Sequence, residues 1–238
     1  MIGRPRLLAR LTGLFFLLTI VGGIFAQGFV SEKLIDSRDA VATAGNILAH
    51  RGLYELGFTI YMVEMACQIV TSVLFYRLLR PVNRSVALAS LALGLTGCVI
   101  KTFGRVFYLV PLFVLEGGGA HALGRLSAAQ LQALSLVLLE VNDHAAGMAL
   151  AFFGFEDVLK GWLIIRSTFL PRWLGVLSVI ASVGWMTFLS PTLGYRVFIY
   201  VALFALAASA AMIGWLLIKG VDEGRWKEMA AAPADRAC

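Results

Sequence analysis

The chain has 238 residues, 60% hydrophobic and only 14% charged, with a net charge of +6 and a mean hydropathy of +0.85. A soluble domain carries about 25% charged residues, so the composition excludes an ordinary soluble enzyme or binding module. The positive balance does not point to nucleic acid, because the basic residues sit at the ends of apolar runs and form no basic stripe with interleaved aromatics.

Six runs are long and apolar enough to cross a bilayer as helices, which takes about 20 residues. They cover 7–30, 54–79, 85–115, 128–165, 170–189 and 195–218. Continuous apolarity, without alternation, selects helices over barrel strands. The expected fold is therefore all-α: a polytopic membrane helical bundle forming one domain over 1–220, with a short tail at 221–238. The first run follows MIGRPRLLAR, which resembles the basic region of a signal peptide. A cleavage site after Ala26 would place the poorly suited Ile24 two positions earlier. The run continues to Val30 and is read as an uncleaved first helix.

Between the runs the punctuation is clear. The loop SEKLIDSRDAVATAGNILAHRG is polar enough to lie outside the bilayer, and 40–50 within it suits a short interfacial helix. RLLRPVNR turns at Pro81 and Asn83. EGGGAHALGR is a flexible loop, after which Ser127 reads as a helix N-cap. Pro171, Pro191 and Gly194 mark the last two connections. Small residues (Gly22-Gly23, Gly94, Gly97, Gly147, Gly154, Gly184 and Ala210-x-x-x-Gly214) predict close helix packing within the chain, with a homodimer face as the lesser alternative.

Orientation follows from the basic residues. Arg4, Arg6, Arg10, Arg77, Arg80, Arg84, Arg166, Arg172, Lys219, Arg225, Lys227 and Arg236 fall on one side. Lys33, Arg38, Arg51, Arg125 and Arg196 fall on the other. The richer side is cytoplasmic. With six spans both termini are cytoplasmic, and the expected location is the plasma (inner) membrane of a bacterium.

The residues that resist this apolar pattern are the candidates for function, because a charge in hydrocarbon costs several kcal/mol. Lys101 and Arg105 lie one turn apart in the third run, Glu64 and Gln68 one turn apart in the second, and Glu140 and His144 one turn apart in the fourth, beside Asp143. A rise of about 1.5 Å per residue puts Glu64 roughly 20 Å and Lys101 roughly 25 Å from the cytoplasmic ends of their helices. The same rise puts Arg105 at roughly 31 Å and Asp143 at roughly 35 Å. Glu64 is thus matched with Lys101, and Arg105 with Asp143, in one polar cluster in the outer half. That cluster binds a ligand, substrate or ion, or holds three helices in register, or dissolves if Lys101 and Arg105 snorkel outward.

Glu156, Asp157 and Lys160 form a second polar set nearer the cytoplasm. Glu156 and Lys160 are spaced as a local i,i+4 pair with Lys160 snorkelling outward, which leaves Asp157 without a partner.

No catalytic motif is present: there is no Walker loop, G-x-S-x-G or dinucleotide fingerprint, and Gly117 to Gly119 are not followed by Lys-Ser/Thr. His50, His121 and His144 show no metal-ligand spacing, and no two histidines lie deep on separate helices to hold a haem. The sequence therefore names no metal and no cofactor. The three cysteines, Cys67, Cys98 and Cys238, make no disulfide framework.

LTGLFFLLTIVGGIFAQGFV, LYELGFTIYMVEMACQIVTSVLFYRLLRPVNRSVALAS and LSAAQLQALSLVLLEVNDHAAGMALAFFGFEDVLKGWLIIRSTFLPRWLGVLSVIA carry a family resemblance, with RLLRPVNRS and RSTFLPRWLGVL its most specific parts. The chain resembles, over about 7–220, the bacterial membrane family catalogued as domain of unknown function 4386. The resemblance implies a multi-pass helical fold and no activity. Glu156-Asp157 and the pair Lys101 and Arg105 depart from the family pattern.

Short loops and the lack of a catalytic motif favour a non-enzymatic membrane protein. It would be a binding or accessory subunit that engages a partner, a lipid or a small ligand through the outer-half cluster, in contact with membrane lipids. A membrane-protein partner or a second copy is the expected macromolecular contact, and nucleic acid is not. A small transporter or channel using Glu64, Lys101, Arg105 and Asp143 is the alternative. A lipid-directed enzyme with His144 and Asp143 as acid and base is the third reading.

Overall fold

In the computed structural model, residues 4–117 and 126–231 are described, and they form helices with no strand. His121, Arg125, Arg236 and Cys238 lie outside the described residues, as does most of the loop EGGGAHALGR. Helix α1 runs over Pro5–Ile24, continues through a π-helical stretch, Phe25–Ser31, and ends in one last α-turn, Glu32–Leu34. Then come α2 (Ala40–Ala49), α3 (Arg51–Leu79), α4 (Arg84–Leu115) and α5 (Ala128–Arg166). The chain finishes with α6 (Arg172–Met186), a 3₁₀ turn (Thr187–Leu189), α7 (Pro191–Ile218) and α8 (Glu223–Ala231).

The helix starts have local causes. Asp39 caps α2 by accepting from the N–H groups of Val41 and Ala42, both at 2.9 Å. Asn83 accepts from Val86 N at 3.0 Å ahead of α4. Ser127 and Gln130 form a reciprocal capping box at α5: Ser127 N donates to Gln130 Oε1 at 2.8 Å, and Gln130 N to Ser127 Oγ at 3.3 Å. Pro191 begins α7, where its missing N–H costs no helical bond.

Among the described residues, five stretches are long and apolar enough to cross a membrane: Pro5–Leu34, Arg51–Leu79, Arg84–Leu115, Arg172–Leu189 and Pro191–Ile218. Large apolar side chains on them face outward, with Tyr200 75% and Ile218 74% exposed. A contiguous exposed apolar surface of this kind marks contact with lipid rather than water. The protein is a multi-pass helical membrane protein. The fourth expected span, α5, is the longest of the described helices at 39 residues. Glu140, Asp143, Glu156, Asp157 and Lys160 interrupt its apolar sequence.

The chain divides into two compact units. The first comprises Met1–Leu18, Cys67–Cys98 and Gly147–Cys238. Its core gathers Phe75, Leu78, Leu163, Ile164, Leu174, Met212, Leu216 and Trp226, with Cys67 and Cys98 also buried. The expected tail docks into this core through α8: Trp226 Nε1 donates to Leu78 O at 2.9 Å, satisfying one of the carbonyls that the end of α3 leaves without a helical partner. Gly214 plays no part in packing, since a Cβ there would meet nothing within 4 Å.

The second unit comprises Thr19–Ala66 and Val99–Ala146. Its core is built on Val30, Leu34, Ile47, Tyr54, Tyr61, Tyr108, Leu112 and Leu139. Arg51 ties the start of α3 to Glu55 at 2.9 Å and to Glu116, just past α4, at 2.6 Å.

Candidate functional site

In the second unit, Lys101 Nζ donates to Glu64 Oε1 at 2.6 Å, the pair that the depth count matches. Both are largely buried, with side-chain exposures of 14% and 5%. Glu64 Oε2 has no hydrogen-bond partner. One turn along α4, Arg105 is 3% exposed, and its guanidinium carbon lies 3.4 Å from the centre of the Tyr61 ring. The ring face supplies negative potential to a cation taken out of water. Arg105 Nη1 donates to Asn142 Oδ1 at 3.0 Å, while Nε has no partner.

The Tyr61 hydroxyl is held by the π-helical stretch of α1. Tyr61 donates to Gln27 Oε1 at 2.8 Å, and Ser31 Oγ lies 3.0 Å from the same hydroxyl oxygen. A π-helical insertion re-aims side chains within a continuing helix and is frequent at functional sites. Here Gln27 and Ser31 meet one phenol. Tyr108 stacks on Tyr54 at 4.5 Å and meets Tyr61 edge-on at 5.4 Å. Pro111, inside α4, removes the N–H that would bond Phe107 O. One residue on, Tyr108 O accepts from the Tyr54 hydroxyl. The Tyr108 hydroxyl is buried without a partner.

Two expected features of this site are corrected. The Arg105–Asp143 ion pair does not form: Asn142 stands between them, accepting from Arg105 and donating through Nδ2 to Asp143 Oδ1 at 3.0 Å. Successive helix residues point about 100° apart, so α5 turns Asn142 inward and leaves Asp143 exposed. Close approach of α4 and α5 depends on Gly104, where a Cβ would lie 2.7 Å from Ala145 Cβ. The cluster is also smaller than expected. Glu140 and His144 are exposed, His144 Nδ1 lying 2.8 Å from Glu140 O, and Gln68 falls among the residues of the first unit, half-buried.

The first unit holds a second buried polar set. Glu156 is 1% exposed. Ser72 Oγ donates to its Oε1 at 2.9 Å, and Ser90 Oγ donates to its backbone carbonyl at 3.0 Å. Its Oε2 has no partner and lies against Gly94, where any Cβ would overlap the carboxyl group. Lys160 pairs closely with Asp157 and stands 3.9 Å from Glu156 Oε1.

The expected Glu156–Lys160 pairing is therefore reversed: Asp157 has the close cation, and Glu156 has the unpartnered oxygen. Lys160 does not snorkel either. Its side chain is 8% exposed, with the ammonium 4.6 Å from the Phe75 ring centre and 5.9 Å from that of Phe16. Beside it lies a narrow cleft, lined in part by Ser72, Tyr76, Ser90 and Lys160.

Among the described residues, no three His, Cys, Asp or Glu side chains come together to hold a metal ion.

The family model for a domain of unknown function, DUF4386, matches residues 11–220. The chain belongs to the DUF4386 family. A 72-residue stretch is 36% identical to an uncharacterized protein of Archaeoglobus fulgidus, covering 29% of this chain and 42% of that relative. The chain thus spans less than half the length of this curated relative. No solved structure matches it.

For this DUF4386 member, charge alone led to Glu64, Lys101 and Arg105. It missed Tyr61, Asn142, Gln27, Ser31, Tyr54 and Tyr108. Spacing carried a signal: Tyr54, Tyr61 and Glu64 recur at seven and three residues, as Lys101, Arg105 and Tyr108 do at four and three. Nothing in the sequence marked the π-helical stretch.

Proposed function

We propose that this DUF4386 protein is a non-enzymatic binding or accessory subunit of the plasma membrane, and that its second unit binds a single anionic group such as a lipid-headgroup phosphate. The observation that carries the reading is the charge balance of the buried site. Glu64 pairs with Lys101, whereas the buried Arg105 forms no ion pair among the described residues and its Nε has no acceptor. An uncompensated buried charge costs several kcal/mol, which an anion accepting from Nε would offset. Glu64 Oε2, also without a partner, suits a hydroxyl or amine donor on the same ligand.

In this reading α5 is the sixth span and both termini are cytoplasmic, by the excess of Lys and Arg on that side. Counted from Arg166, a hydrocarbon core about 30 Å thick takes up about 20 residues. Glu140, Asp143 and His144 then project past it into the interface, in keeping with their exposure.

The test is native mass spectrometry of the protein purified in mild detergent and challenged with anionic and zwitterionic phospholipids. Wild type is expected to retain an anionic lipid at least tenfold better than Arg105→Gln. Equal retention by the two, with both folded, would rule the reading out.

A further inference from the structure

We propose that Glu156 in the first unit is a proton-binding site, whose proton is released as Lys160 transfers from Asp157 to Glu156. This is a separate site from the one above and carries no dependence on it.

Charge counting comes first. The set holds two carboxylates and one ammonium, and among the described residues no other charged side chain lies in ion-pair range of them. The groups facing Glu156 and Lys160 from the other helices are Phe16 of α1, Ser72 and Phe75 of α3, and Ser90 and Gly94 of α4. Tyr76 lines the adjoining cleft. None of these supplies a positive charge. Lys160 bonds Asp157, whose side chain is 27% exposed, and at 3.9 Å its ammonium lies beyond hydrogen-bond distance of Glu156 Oε1. The remaining negative charge would therefore fall on Glu156, the more deeply buried carboxyl, where it is most costly.

The geometry then selects the cation. Oε2 is pressed against Gly94 so closely that a methyl group would not fit. A metal ion needs several oxygen ligands around it, and no such shell fits there. A proton needs one acceptor. Placed on Oε1, it is donated to Ser72 Oγ, 2.9 Å away, the Ser72 hydroxyl turning from donor to acceptor. Oε2 then becomes a neutral carbonyl oxygen, which tolerates the lack of a partner far better than a carboxylate oxygen does.

Release is balanced simply. The Oε1–H bond breaks and the proton passes to water. Lys160 keeps its three N–H bonds and moves its hydrogen bond from Asp157 to Glu156, and the partly exposed Asp157 carboxylate is hydrated in its place.

The experiment is infrared difference spectroscopy of the full chain reconstituted in lipid. Wild type at neutral pH is expected to show a protonated-carboxyl C=O band that shifts in D₂O and disappears in Glu156→Gln. Ser72→Ala should keep the band and shift its frequency, which tests the assignment even if Glu156→Gln folds poorly. In Asp157→Asn, Lys160 has only Glu156 to bond, so the band should titrate away at least one pH unit lower. The proposal is overturned by absence of the band in wild type, by its persistence in Glu156→Gln, or by an unchanged titration in Asp157→Asn.

Discussion

The second unit holds one buried carboxylate, Glu64, paired with Lys101, beside a buried Arg105 that forms no ion pair among the described residues, whereas the first sets Glu156 and Asp157 against Lys160 alone. The two excesses are handled by different chemistry. A surplus cation can rest on an aromatic face, as Arg105 does on Tyr61, and it can use a neutral amide acceptor, as Arg105 uses Asn142. A surplus carboxylate finds only repulsion at a ring face. The Glu156 carboxyl is instead given one hydroxyl, from Ser72, and the space left by Gly94. The second unit is thus arranged to keep its charge, and the first to shed its own.

The largest test of that contrast compares two lysines. Lys101→Met strands a buried Glu64 carboxylate and should cost about 3–5 kcal/mol, read by denaturant or thermal unfolding in detergent. A Glu64→Gln/Lys101→Met double variant should recover most of that loss. Lys160→Met removes the hydrogen-bonded partner of the partly exposed Asp157 and a more distant neighbour of Glu156, and should cost about 1 kcal/mol. Equal losses for the two lysines would end the comparison. Next in size, Gly94→Ala forces a methyl into the Glu156 carboxyl and should destabilise by about 1–3 kcal/mol. Glu156→Ala in the same background is expected to relieve much of that cost.

Smaller still, Tyr61→Phe keeps the ring under Arg105 and deletes the hydroxyl shared by Gln27 and Ser31. A loss of about 1 kcal/mol is expected, with anionic-lipid retention unchanged. Asp143→Asn should be nearly silent, within about 0.5 kcal/mol, because Asn142 already takes the guanidinium. A loss comparable to that of Lys101→Met would mean that Asp143, not Asn142, is the counterpart of Arg105.

The helices were legible in the sequence because continuous apolar runs bounded by Pro and basic residues admit few alternatives. The turn at Pro81 and Asn83, the cap at Ser127 and the short helix at Ala40–Ala49 follow from local chemistry. The Glu64–Lys101 pair was legible because the helical rise converts residue number into depth. Arg105 was matched by depth alone, and depth does not distinguish Asn142 from Asp143, one residue apart and about 100° around the helix. The same blindness to rotation misassigned the partners of Lys160. Spacings of three and four are both within reach of a lysine, and packing of the ammonium over Phe75 chose Asp157.

Composition and periodicity by themselves determined that this is a helical, multi-pass membrane protein and which charges lie deep in its helices, since both depend on chain-local hydrophobicity and a fixed rise per residue. Tertiary structure alone decided which of those charges meet, which oxygens go unpartnered, and that Trp226 folds back onto α3. Those outcomes depend on helix rotation, on the π-helical stretch of α1 and on close contacts at Gly94 and Gly104, which only packing between segments distant in sequence can set.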